Sequence, residues 1–419
     1  MKQMKDSGIE WIGETPEDWE LIKIGSIFRC RNEKVNDTDY PPLSVTRNGI
    51  VPQMENVAKT DANDNRKMVK VNDFVINSRS DRKQSCGVSD LDGSVSLINT
   101  VLYTENTDVI LPEYTNLLMK NYGFAEEFYR WGHGIVADLW TTRWQEMKSI
   151  VLPLPNTQQQ EEIVRFVQKK VCGIDNLIAH EQATIEELKA YKQSVITEAV
   201  TKGLDKSVSM KDSGVEWIGK IPKSWKVRRV KTLGGARNGL TYSPEDICDE
   251  SGTLVLRSSN IKNGKIVLEN NVYVSCQISH DLKVRAGDIL ICARNGSKEL
   301  IGKNAVIKDE NATFGAFMMI YRCEFPQWIY YILNSKIFSY YLGTFFSSTI
   351  NQLTSTNFNN MLIVFCPNEK ERKNIVDYLD KKCADIDSLI SIKQQKIEEL
   401  KEYKKSLIYE YVTGKKEVI

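Results

Sequence analysis

The chain has 419 residues, 41% of them hydrophobic and 26% charged, which is room for two to four domains with ample core. A formal net charge of +1 excludes a polycation, so any nucleic-acid surface must be a local patch offset by acidic regions elsewhere. No apolar run approaches a membrane span, the start lacks a signal-peptide core, and nine scattered cysteines without a Cys-x-x-Cys spacing fit reduced thiols in a cytoplasmic protein and give no metal site.

The chain opens on Met4–Trp19, MKDSGIEWIGETPEDW, and the same frame returns at Met210–Trp225, MKDSGVEWIGKIPKSW. Both tryptophans of each copy (Trp11 and Trp19; Trp217 and Trp225), the proline and the Trp-Ile-Gly triplet stay in register. These rings are read as anchors of each domain against its own core rather than as stacking platforms. Two copies of one unit predict pseudo-twofold symmetry.

Residues 19–150 are mixed in character. Val71–Asn77 predicts a turn followed by an apolar strand, and a helical pattern covers Glu113–Tyr129. Polar, basic residues cluster at Ser44–Asn48, with Thr46, Arg47 and Asn48, and at Ser78–Lys83, with Ser78, Arg79, Ser80, Arg82 and Lys83. The second cluster follows the strand, and Arg66–Lys83 carries six basic and two acidic residues, a local charge of about +4. Arginine and asparagine suit bidentate contact with guanine and adenine edges, serine and lysine contact with phosphate.

A long amphipathic helix follows, with Asn156 or Thr157 as cap after Pro155. Its seam runs Val164, Val167, Val171, Ile174, Ile178, Ile185, Leu188, Val195, Ala199, interrupted by Glu181 and Lys192. At 1.5 Å per residue it would run roughly 65 Å, too long to bury its stripe alone. The second globular segment, 225–363, repeats the plan: turn and strand at Val284–Cys292, helical pattern at Gln327–Thr344, and polar clusters Arg257, Ser258, Ser259, Asn260 and Arg294, Asn295, Ser297, Lys298. A second long helix after Asn368 aligns with the first without a gap, residues 375–413 on 163–201, and shares Ile-Glu-Glu-Leu-Lys-x-Tyr-Lys-x-Ser. Its seam is Val376, Leu379, Cys383, Ile386, Ile390, Ile397, Leu400, Leu407, Tyr411, interrupted by Lys393 and Lys404. The natural partner of each helix is the other, antiparallel.

No catalytic constellation emerges. His133, His180 and His280 have no repeat-related partners, no Asn-Pro-Pro-Tyr motif is present, and Gly296–Lys303 only mimics a phosphate loop. The reading is a non-catalytic chain that binds no cofactor.

The opening motif, the Leu-Pro-Leu-Pro segment at 152–155 and the Ile-Thr-Glu-Ala-Val-Thr-Lys-Gly at 196–203 resemble the specificity subunit of bacterial type I restriction–modification systems. Ser44–Gln53 and Arg294–Ala305 look like parts of its target recognition domains, and Phe365-Cys366-Pro367 departs from the expected Pro-x-Pro before the second helix. The resemblance covers nearly the whole chain. It implies an α/β (mixed α+β) fold with two pseudo-twofold-related target recognition domains, 1–155 and 206–367, and helical regions 156–205 and 368–419 forming an antiparallel coiled coil between them. It further implies double-stranded DNA as ligand, with each domain reading half of a bipartite target in the major groove. The helices would set the spacer, since a span of roughly 50–60 Å exceeds one DNA turn of about 34 Å. The implied protein partners are two modification subunits, which methylate adenine with S-adenosylmethionine, and restriction subunits that use ATP and Mg; no membrane is involved. The alternative from a different class is a protein-interaction scaffold with two ligand-binding modules.

Overall fold

The computed structural model describes residues 3–53, 64–79, 82–106, 108–134, 140–308, 311–345 and 352–418. The fold is mixed α/β. Two compact units divide it, Met1–Gln182 with Gln394–Ile419, and Ala183–Lys393. Each unit therefore holds one globular domain and part of both long helices, Thr157–Lys202 and Glu369–Val412.

In the first unit the opening motif forms an antiparallel hairpin, Met4–Asp6 against Glu14–Pro16, with Met4 opposite Pro16. The Asp6 carboxylate accepts the amide of Gly8, whose positive φ of 66° lets the chain turn. Trp11 and Trp19 are buried. The strand Glu20–Lys23 then pairs with Val151–Leu154, so the variable segment leaves and returns through one ladder. Between them lies a four-stranded antiparallel sheet in the order Arg29–Cys30, Asn99–Tyr103, Phe74–Asn77, Cys86–Val88. The core beside it includes Phe74, Leu102, Tyr114, Phe124 and Val167.

The second unit uses the same devices. Met210–Asp212 pairs with Lys220–Pro222, Lys226–Arg229 pairs with Leu362–Phe365, and the central sheet runs Gly234–Asn238, Met318–Cys323, Ile289–Cys292, Asn304–Val306. The Phe-Cys-Pro departure leaves the strand ahead of the second long helix paired as its repeat counterpart is. Trp225 is buried, whereas Trp217 is 38% exposed and stacks on Tyr340 at 4.6 Å. Three of the four repeat tryptophans thus serve as core anchors.

The turn leading into the central strand recurs almost atom for atom. Lys70 and Arg285 open it, Asn72 and Gly287 take positive φ (71° and 88°), and Asp73 and Asp288 close it by accepting the amides of Lys70 and Arg285 at 2.9 and 2.8 Å. Each buried aspartate also binds an arginine two-pronged: Arg31 holds Asp73 at 2.7 and 2.9 Å, and Arg322 holds Asp288 at 2.6 Å twice. The arginine comes from different places in the two domains, just after the edge strand Arg29–Cys30 in one and from the inner strand Met318–Cys323 in the other.

The helical patterns at 113–129 and 327–344 are each broken into two helices: Pro112–Lys120 and Tyr122–Arg130, then Pro326–Leu333 and Lys336–Phe345. Asn121 causes the first break: its backbone is extended and its side chain accepts the Phe124 amide, so it ends one helix and caps the next. Asn156 and Asn368 cap the long helices, accepting the amides of Gln159 and Glu371 at 2.9 and 3.0 Å; Thr157 instead donates to the Asp108 carbonyl.

Every seam residue of both long helices is buried or half-buried; Ile174, Ile185, Ile386 and Ile397 are buried, Ile178, Leu188, Ile390 and Leu400 half-buried. Within the first unit, Lys404 reaches Asp175 at 2.7 Å and Lys396 reaches Glu181 at 2.6 Å. Within the second, Lys192 reaches Asp387 at 2.7 Å. In the first unit the residue number rises on one helix as it falls on the other, so the pairing there is antiparallel. Asp175 and Asp387 occupy the same place in the repeat, as do Lys192 and Lys404, so one ion pair is made twice. Both are partly solvated, and Lys192→Ala or Lys404→Ala should each cost under about 1 kcal/mol. That loss should vanish in thermal unfolding at about 1 M salt.

The end of the chain completes the first unit. Tyr114 donates to the Val412 carbonyl at 3.2 Å and Tyr409 to that of Trp11 at 2.8 Å.

Candidate nucleic-acid interface

In both domains the polar loop emerges from the same central strand. In the first, Phe74–Asn77 is buried for three residues and then delivers Ser78 and Arg79. Ser78 is buried, shares a hydrogen bond with Thr100 at 3.0 Å, and serves as the base of the loop. Arg79, Arg82 and Lys83 are exposed, while Ser80 lies outside the described residues. The other cluster sits at the tip of a hairpin, Leu43–Thr46 with Gly49–Pro52. There the Thr46 hydroxyl donates to the Gly49 carbonyl and accepts the Asn48 amide, stiffening the turn. Arg47 donates through Nε to the Lys83 carbonyl at 3.2 Å, so two clusters 36 residues apart in sequence form one exposed edge. Glu126 pairs with Lys83 at 3.1 Å.

Not all of the local positive charge faces outward. Arg66 is buried against Ser94, bonded to its hydroxyl at 2.8 Å and its carbonyl at 3.0 Å, and Lys67 donates to the Asn99 carbonyl at 2.7 Å. Burial lowers the pKa of both cations from their ordinary values. These two residues brace strands; the outward charge rests on the other four.

In the second domain Ile289–Cys292 is buried throughout and runs into Arg294 and Asn295. Asn295 donates to the Ser258 hydroxyl at 3.3 Å and accepts the Ser297 amide at 3.0 Å. Again two clusters distant in sequence converge. Lys303, not among the candidates, reaches the Ser258 carbonyl at 3.3 Å. Asn260 is wholly buried, accepting the Arg257 amide and donating to the Val267 carbonyl, so it shapes this loop from within. Ser259, Arg294, Ser297 and Lys298 are exposed, and Arg257 is half-buried with one arm on the Asn270 carbonyl. The Arg294 guanidinium lies 5.3 Å from the ring of Phe317, a solvent-exposed aromatic that no charge or repeat pattern marks in the sequence.

Residues 222–402 match the family model of the type I restriction modification DNA specificity domain. Over 425 aligned residues, 96% of this chain and 93% of the relative, the sequence is 24% identical to the type I restriction enzyme MjaVIII specificity subunit of Methanocaldococcus jannaschii. Over nearly its whole length the chain is therefore similar to a type I specificity subunit, and its second half to that family's DNA specificity domain. The EcoKI specificity subunit of Escherichia coli K12 is 27% identical over 206 residues, 47% of this chain and 44% of that one. A solved chain from work on complex assembly and conformational transition of the type I R-M system shares the fold, with a TM-score of 0.69, 15% identity, and coverage of 95% of this chain and 98% of that one. The chain carries its polar loops on a duplicated frame. Among the described residues no helix is long and apolar enough to cross a membrane.

Proposed function

We propose that this chain supplies the DNA address of a type I restriction–modification complex and performs none of its chemistry. Each globular domain reads one half of a bipartite double-stranded target. The long helices set the spacer and carry two modification subunits, which bring S-adenosylmethionine and methylate adenine. Restriction subunits add ATP- and Mg-dependent cleavage. The observation that carries this reading is the recurrence of one device in two divergent domains. A buried strand, pinned at its start by an aspartate–arginine pair, delivers an exposed loop of arginine, asparagine, serine and lysine joined to a second polar cluster. Bases are read by such side chains, held in place so that little order remains to be gained on binding.

The test is adenine methylation across the genome of a host expressing this chain with its modification subunit, compared with a strain lacking this chain alone. A bipartite motif should disappear with the chain. If no motif changes although the modification subunit is active, the DNA-address reading is wrong.

A further inference from the structure

We infer that Phe317 is a base-reading residue of the second domain, its ring set against the C5-methyl group of a thymine in the major groove; this rests on the DNA-reading role proposed above. Phe317 is 59% exposed, more than any other aromatic side chain among the described residues, while Phe314 and Met318 on either side are buried. An isolated surface hydrophobe is ordinary and needs no explanation. This one differs in how firmly it is held and in its neighbours.

The turn that carries it is stitched down on every side. The Met318 amide closes it by donating to the Gly315 carbonyl at 2.8 Å, and the Gly315 amide donates to the Leu256 carbonyl at 3.0 Å. The Phe317 carbonyl accepts both the Ala293 and Arg294 amides, at 2.9 and 3.0 Å. Gly239 donates to the Met318 carbonyl from so close that a Cβ there would lie 2.1 Å from the Gly315 oxygen. A side chain on such a backbone has little freedom to fold back onto the protein, so its exposure is built in.

Its surroundings are polar and cationic. Arg294 lies over the ring, and Asn295, Ser258 and Lys303 are joined alongside. An apolar group set among cations matches the major-groove edge of DNA, where the thymine methyl is the apolar feature amid hydrogen-bonding groups and phosphates. In the first domain the Ser78 amide donates to the Ile98 carbonyl at 3.4 Å as the Ala293 amide does to that of Phe317; Ile98 is half-buried, and the exposed apolar residue there is its neighbour Leu97.

The experiment uses the full chain in complex with its modification subunits and target duplexes in which each thymine in turn is replaced by uracil, which lacks only the methyl. The wild-type complex should lose about fourfold in affinity at one thymine of one half-site, the value of one buried methyl. Phe317→Ala should bind the thymine duplex more weakly and no longer distinguish it from the uracil duplex at that position, and Phe317→Leu should keep part of the difference. The inference is overturned if Phe317→Ala retains the uracil penalty, or if the wild type shows none in that half-site. A failure of the DNA-reading role itself looks different: the wild-type complex would show no salt-sensitive, sequence-selective binding to any duplex, and the inference would fall with it.

Discussion

Asp288→Ala should destabilise the second unit by about 3 kcal/mol, the lower end of the range for removing one partner of a buried ion pair. The carboxylate is almost wholly buried and accepts three hydrogen bonds, two from Arg322 and one from the Arg285 amide. Alanine removes all three hydrogen bonds at once and leaves the Arg322 guanidinium, whose pKa Asp288 raises, without its counter-charge. Arg322 keeps some access to water, which places the cost at the lower end. The pair sits where the chain turns into Ile289–Cys292, so the same change should loosen the loop at Arg294 and weaken DNA binding beyond the loss of fold. Replacing both partners with apolar residues of similar volume should recover most of the stability, because no charge is then left buried. Thermal unfolding of the single and double variants checks this. A loss below about 1 kcal/mol for Asp288→Ala would show that water replaces the carboxylate and that the pair is not a pin.

What could be read from the sequence was what local spacing encodes. The seams of the long helices depend on a period of 3.6 residues, the caps Asn156 and Asn368 on a side chain reaching three residues ahead, and the turn-and-strand segments Val71–Asn77 and Val284–Cys292 on a few consecutive positions. All of these are short-range, and all appear in the structure. The misses are long-range or competitive. Arg31 and Arg322 sit 42 and 34 residues from the aspartates they hold, and no local rule selects them. Arg66 and Lys67 look like surface charge in a basic run, yet the acceptors on Ser94 and Asn99 draw both out of solvent. Asn121 breaks a continuous helical pattern because its side chain competes with the helix for the Phe124 amide. At the candidate interface the polar loops were legible as composition, whereas the meeting of Arg47 with Lys83 and of Asn295 with Ser258 depends on sheet topology. Phe317 carried no signal, since a lone phenylalanine before a strand reads as core.

Exchanging residues 19–150 for the corresponding segment of another family member should change one half of the methylated motif and leave the other half and the spacer intact. The fold gives a physical reason to expect a clean exchange. The segment starts and ends on one antiparallel ladder in which Lys23 lies opposite Val151 and Glu20 opposite Leu154, so the two junctions lie at the two ends of a single two-stranded element. The opening hairpin and the long helices lie outside the exchanged stretch. The cost is confined to the surface the segment shares with them, where Ile24, Phe124 and Phe128 meet Trp11, Val167 and Val412 in one core, so a donor with matching residues there should fold. Methylome sequencing reads the result directly, because the new half-site must belong to the donor's own motif. A change in both half-sites would mean that the domains do not read independently, and the duplicated frame would then be one reading surface rather than two.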